Sequence, residues 1–248
     1  MKKINIFFFS LLLFILFSAC QKKGIYQTDQ VTDWVQLQPG KTITYRMDST
    51  NYTYFGLYTT VTTYTVQDVV DTTFMDNLNR PTWRVIRYIT DSTQTQPWQN
   101  LETYTVTPTI QTLEVDENNL RYIKLSLPFT DGFNWQGNSY IGTSQDNNLD
   151  LSYLAGWNYY YDSIGASYNV IAGTIPNTLI VRQADDYGGD SSDISSPSYR
   201  NYSIEVYAKG VGLIYKDFLH WFYQPPNNTN PAGYKTGYGI RLNMIGHN

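Results

Sequence analysis

The chain has 248 residues, a formal net charge of −4 and charged residues at only 15% of positions. That balance excludes a nucleic-acid binder, which needs a clustered positive face. One cysteine excludes an internal disulfide, and two histidines leave too few ligands for a zinc site.

The first segment is a secretory signal. Lys2 and Lys3 precede an apolar run from Ile6 to Phe17, closed by the small residues Ser18 and Ala19 before Cys20. The run is too short for a transmembrane helix, which needs about 20 apolar residues. Phe17-Ser18-Ala19-Cys20 resembles the lipobox of bacterial lipoproteins, in the relaxed form seen in Bacteroidota, with Phe17 where Leu is usual. The resemblance implies cleavage before Cys20, acylation of Cys20 and attachment to the membrane through that lipid. Residues 1–19 are then signal peptide, 20–33 a tether and 34–248 a single antiparallel β domain. Loss of Lys2 and Lys3 takes the mature chain to about −6, a mildly acidic, solubilising surface. Lys22 and Lys23 follow the cysteine where surface-exported lipoproteins of that phylum carry acids. This points to the periplasmic side of the outer membrane.

The body is rich in tyrosine (23 residues), threonine and asparagine, which favours strands over helices. After the Pro39-Gly40 turn, residues 42–46 predict a first strand. Residues 58–70 predict a long second one, bulky on both faces. Trp83, Val85, Arg87 and Ile89 alternate with Arg84, Ile86, Tyr88 and Thr90 as its hairpin partner. Shorter strands are expected over 104–107 and 112–115. A turn at 116–119 leads to residues 120–127, where Arg121, Ile123, Leu125 and Leu127 form the more apolar set and are expected to face inward.

From 129 to 173 no period is clean. Trp135, Trp157, Tyr159, Tyr160 and a polar stretch over 137–149 predict long aromatic- and Asn-rich loops. Strand pattern returns over 177–183, and a second loop covers 185–197. The clearest hairpin follows, with Tyr202, Ile204 and Val206 before the Ala208-Lys209-Gly210 turn and Val211, Leu213 and Tyr215 after it. Gly212 inside that second strand predicts a bulge or a close approach. Residues 218–223 form an aromatic patch around His220, and 238–245 a last strand. The total is about nine or ten strands in a curved antiparallel sheet, a sandwich or a half-barrel. The run Tyr207-Ala208-Lys209-Gly210-Val211-Gly212-Leu213-Ile214 resembles a turn in envelope lipoproteins whose curved sheet is like that of lipoprotein-carrier half-barrels. The resemblance implies an apolar-ligand carrier as one role.

No motif carries nucleophilic or acid–base chemistry. His220 lies between Leu219 and Trp221 as a packed residue would, and His247 is penultimate. No catalytic residue and no cofactor are expected. Two groups have calcium-like oxygens without EF-hand spacing, namely Asp185, Asp186, Asp190 and Asp193, and Asp146, Asn147, Asn148 and Asp150. Sugar binding needs exposed aromatic faces. The residues expected to supply them are Trp135, Trp157, Tyr159, Tyr160, Trp221 and Tyr223. The leading expectation is a lipid-anchored, non-enzymatic binding or scaffold module of the envelope. Its partner is a glycan or an envelope protein. The alternatives are a carbohydrate-binding lipoprotein of a glycan-uptake system and a carrier of lipid or lipoprotein.

Overall fold

The computed structural model describes residues 29–142, 151–228, 231 and 233–248. Cys20, the basic residues after it and the group at 146–150 lie outside these. The described chain is all-β: one antiparallel sheet of twelve strands, curled until it nearly closes into a barrel. In chain order the strands are β1 (Thr42–Thr53), β2 (Tyr58–Met75), β3 (Pro81–Asp91), β4 (Gln99–Pro108), β5 (Thr112–Glu117), β6 (Leu120–Ser126), β7 (Asn134–Gln136), β8 (Asn158–Val170), β9 (Gly173–Gly188), β10 (Ser198–Ala208), β11 (Gly212–Gln224) and β12 (Tyr234–His247). Among the described residues, helix is confined to short 3-10 turns, including Val31–Trp34 and Ser152–Leu154.

Two meanders meet at the centre. Strands β1 to β6 run outward one way, β12 back to β7 the other, and β1 pairs with β12. This leaves β6 and β7 as the free edges, and an unpaired edge is a template for unwanted pairing. The chain sews them together. Ile123 N–H donates to Gly137 O at 2.8 Å, and Trp135 Nε1 donates to Ile123 O at 2.8 Å. Tyr161 reaches across to Ser126, donating to its carbonyl at 2.8 Å and accepting from its N–H at 3.0 Å. Gly137 permits this closeness, because a Cβ there would lie 2.4 Å from the Tyr159 ring.

The long loop expected over 129–173 therefore contains strand, since β7 and all of β8 fall inside it. Asp162, Ser163 and Gly165 break the apolar alternation of β8, and β8 bulges repeatedly against β9. The tip of the β8–β9 hairpin folds onto the outer face of the sheet. Ile171 N–H donates to Asn243 Oδ1 at 2.7 Å, and Tyr168 packs its ring 5.4 Å from that of Tyr215.

Strand directions give the barrel two ends. One end collects the β2–β3, β4–β5 and β10–β11 turns and is shut by the Val31–Trp34 turn. Val31 and Trp34 are buried there with Leu113 and Leu125, and the Trp34 ring lies tilted 5.6 Å from that of Phe129. The last residues of the expected tether thus belong to the core. Asp33 O accepts from Gly210 N–H at 2.7 Å and Asp29 pairs with Lys209, which ties this segment to the β10–β11 turn. Gly212 is the close approach its sequence position predicts. It has φ of +117°, and an added Cβ would press on Ile43 at 3.3 Å and sit 3.9 Å from Val35 and Gln36. The opposite end collects the β1–β2, β3–β4, β5–β6 and β9–β10 turns. One is the Asn118–Asn119 pair of the β5–β6 hairpin, both left-handed as such a two-residue turn requires.

Candidate functional site

The barrel interior is layered. Above the Val31–Trp34 plug lies a small space of about 100 Å³. Beyond it comes a belt of charged side chains, and beyond the belt a chamber of about 690 Å³. Arg87, Glu117, Lys124 and Lys216 line both spaces and form the partition.

Each belt residue sits at an inward position of its own strand. Arg87 of β3 grips Asp68 of β2 through two bonds, Nε–Oδ1 at 2.6 Å and Nη2–Oδ2 at 2.7 Å. Its Nη1 reaches Glu102 of β4 at 2.6 Å and Glu117 of β5 at 3.7 Å. Tyr104 O–H donates to Asp68 at 2.9 Å. On the far wall Lys124 of β6 donates to Glu205 of β10 at 2.7 Å, and Tyr207 donates to the other Glu205 oxygen at 2.7 Å. Lys216 of β11 stands 3.6 Å from Glu117. Such charges survive burial only because they are paired and hydrogen-bonded.

The carboxylates divide. Burial pushes the Glu117 carboxyl up, but Lys216, Lys124 and Arg87 outweigh it and hold it at about 2. Glu205 is likewise driven up by burial and brought below its ordinary value by Lys124 and Lys216. Glu102 goes the other way. Burial, with help from Glu117 and Asp68, raises it against the pull of Arg87 and Lys216. Its shift is thus opposite in direction to those of Glu117 and Glu205.

Aromatic and aliphatic side chains wall the chamber: Tyr122, Trp157, Tyr159, Phe218 and Tyr238, with Met47, Leu120 and Ile240 between them. The segment around Ser152–Leu154 forms a ceiling. Leu154 is buried, and Tyr153 stacks on His220 at 3.7 Å between ring centres while sharing a hydrogen bond with Tyr238. His220 Nδ1 lies 2.7 Å from Asn201 Oδ1, so it is a packed residue in the chamber wall. Leu101, 45% exposed, and the exposed turn residue Asn118 also line the chamber and mark its mouth.

Several expectations are corrected here. Trp135 (9% exposed), Trp157 (7%) and Tyr159 (1%) offer no outward platform for a sugar. Trp135 is consumed by the seam, its ring 4.8 Å from Tyr161 and 5.9 Å from Tyr159. Trp157 and Tyr159 are on the chamber wall instead. Tyr160, one residue on, points outward by strand alternation and is exposed. Trp221 is half-buried beneath Lys235, whose Nζ sits 3.8 Å from its ring centre, and Tyr223 donates to Ile194 O at 3.0 Å. The six residues do not form one surface.

The calcium candidates are spent separately. Asp185 pairs with Arg200, and Asp186 accepts from Tyr199 at 3.3 Å. Asp190 and Asp193 each cap their own turn through Ser192 and Ser195. No three metal-ligating side chains converge among the described residues. The inward face of β6 is reversed from expectation only up to its bulge, since Leu125 beyond it is buried against the plug as expected. A bulge opposite Leu113 and Glu114 shifts the register, so Leu120, Tyr122 and Lys124 face the chamber, because the belt supplies Glu205 to meet the lysine.

The belt residues themselves escape sequence reading. Asp68, Arg87, Glu102, Glu117, Lys124, Glu205 and Lys216 look like members of solvent faces. The one available hint is charge on strands otherwise rich in Val, Ile and Tyr.

The fold and chamber define an antiparallel β-barrel plugged at one end, with a charged partition under an aromatic chamber. No family model and no curated protein matches the chain. Two solved structures are similar in outline. A protein from Bacteroides fragilis assigned as exported, with a YmcC-like fold, superimposes with a TM-score of 0.35 at 10% identity. A protein from Parabacteroides distasonis assigned as a lipoprotein superimposes with a TM-score of 0.41 at 10% identity. Each alignment covers 87% of this chain and 98% of the other.

Proposed function

We propose that this chain is a non-enzymatic binding module of the cell envelope. It is anchored through a lipid on Cys20 and takes a small ligand into the barrel. The observation that carries the reading is the chamber of about 690 Å³, with apolar and aromatic walls and a few polar groups at its floor. Ligand sites have that size and mix. Of the roles raised by the sequence, a carrier of a partly apolar molecule fits best, because the large aromatic faces turn inward.

The described chain begins at Asp29, beside Lys209 at the plugged end. A lipid on Cys20 is thus joined in sequence to the plugged end of the barrel.

Two measurements test this reading. The neutral dye N-phenyl-1-naphthylamine is expected to bind the purified protein with increased fluorescence. Ile240→Trp, which narrows the chamber, is expected to weaken it by about tenfold or more. Equal binding by both proteins would place the ligand elsewhere. Cys20→Ala is expected to abolish labelling by radioactive palmitate and move the protein to the soluble fraction. Unchanged membrane fractionation would overturn the anchor.

A further inference from the structure

We infer that the chamber selects an uncharged molecule, a largely apolar aromatic body that carries a carbonyl, with the carbonyl oxygen accepting from the side-chain amide of Gln183. This rests on the chamber being a ligand site and names its chemistry.

The charges at the chamber floor already face one another. Arg87, Lys124 and Lys216 line the chamber together with Glu102 and Glu117. Arg87 bonds Glu102 at 2.6 Å while gripping Asp68, which lines the lower space. Lys124 bonds Glu205 at 2.7 Å, and Lys216 faces Glu117 at 3.6 Å. An ionic head of either sign therefore meets floor charges that each have an opposite charge beside them. To gain a partner it must draw one member out of a buried pair and leave the other uncompensated. Without a partner it is itself an unpaired charge in a dry space. A neutral head disturbs none of these pairs.

Gln183 sets what the neutral molecule carries. Leu179, Val181 and Gln183 form the buried series of β9, and Gln183 is the extra residue of the bulge opposite Ser203 and Ile204. Bulges re-aim side chains. This one sets a 3% exposed amide on the chamber wall beside Ser203. Its Oε1 accepts from Ser203 Oγ at 2.7 Å. Its Nε2 has no acceptor among the described residues, and no other buried side-chain nitrogen or oxygen lining the chamber is left in that state. A buried donor without an acceptor is destabilising, and an apolar side chain at this position would avoid that cost. An acceptor on the ligand completes it.

The walls describe the rest of the molecule. Tyr122, Trp157, Tyr159, Phe218 and Tyr238 face the same space. The Tyr159 hydroxyl donates to Asn138 Oδ1 at 2.7 Å, and Tyr238 shares its hydrogen bond with Tyr153, so both offer the ligand rings more than polar ends. Flat rings pack on such faces by offset stacking or edge contact.

The test uses the chain from residue 20 onward with Cys20→Ser, so that no acyl chain competes. Probes are titrated calorimetrically at about pH 8, where a carboxylate is ionised. Benzophenone and diphenylmethane differ only in having a carbonyl or a methylene between the same rings. Methyl para-benzoylbenzoate, para-benzoylbenzoate and para-benzoylbenzyl trimethylammonium carry one body as a neutral, an anionic and a cationic molecule. The neutral ester is expected to bind about tenfold more tightly than either ion, or better. Gln183→Met, close to glutamine in volume, is expected to lower the ratio of benzophenone to diphenylmethane affinity by about fivefold, the effect of one hydrogen bond. Gln183→Glu keeps the acceptor for Ser203 and puts an unpaired carboxylate on the wall. It is expected to turn the preference toward the trimethylammonium probe, a gain that a poorly folded variant cannot mimic. Tighter binding of either ion than of the ester by the unmutated protein overturns the uncharged ligand. An unchanged ratio in Gln183→Met, together with no gain in Gln183→Glu, overturns the role of Gln183. Either result leaves the chamber a ligand site as long as the neutral dye binds. Binding of no probe, together with failure of the dye, overturns the chamber reading itself.

Discussion

Lys124→Ala is expected to cost about 3–5 kcal/mol of folding stability, the range for breaking one partner out of a buried ion pair. Lys124 and Glu205 side chains are 7% and 2% exposed, and their 2.7 Å bond spans the lumen between strands distant in sequence. Without the ammonium, Glu205 keeps the Tyr207 hydroxyl but sits ionised in a dry interior with Lys216 as its remaining cation. In urea unfolding the midpoint should fall by about 1–2 M at the slope usual for this size. The double replacement Lys124→Met with Glu205→Leu should recover most of the loss, since exchanging a buried pair for apolar groups is often neutral. A loss below about 1 kcal/mol in the single variant would mean that the pair is solvated and the partition open.

Trp135→Ala should be comparably damaging, at about 3–5 kcal/mol, for a different reason. Its indole fills the seam between Phe133, Tyr159 and Tyr161, and its N–H holds Ile123 of the opposite edge strand. Trp135→Phe keeps most of the packing and loses the hydrogen bond, so about 1 kcal/mol is expected from that bond. Because β6 and β7 are the end strands of the sheet and are not ladder-paired to each other, Trp135→Ala should also raise the exchange rate of the Ile123 amide and promote aggregation through the freed β6 edge. Trp98→Ala, at a 41% exposed position, is the control and should stay within about 0.5 kcal/mol. Equal effects at Trp98 and Trp135 would show that the seam is not a weak point.

Much of the fold is legible in residue order. Alternation in β2, β3, β10 and β12 and the turn residues between them define antiparallel hairpins through local rules of period two and left-handed turns. β8 was hidden because its strand is held by pairing with β9 through bulges, and bulges destroy the alternation that would announce it. The site was less legible still. Glu205 alternates correctly with Ile204 and Val206, and so looks like a solvent-side residue. Its partner Lys124 is 81 positions away, and nothing local links the two.

The sequence by itself determined the fold class, an all-β chain, and carried the expectation of an address in a lone cysteine at a lipobox-like site. Those properties depend on composition and on short contiguous patterns. Only the tertiary structure decided that the sheet curls into a near-barrel and that Val31–Trp34 plugs one end. It alone decided that Trp157 and Tyr159 turn inward while Tyr160 turns out, and that seven charged side chains from seven strands meet in one layer. The physical reason is closure. An open sheet would have placed those charges in water and the rings on a surface, and curling the same strands brings both faces of the argument, charge and aromatic wall, around a single chamber.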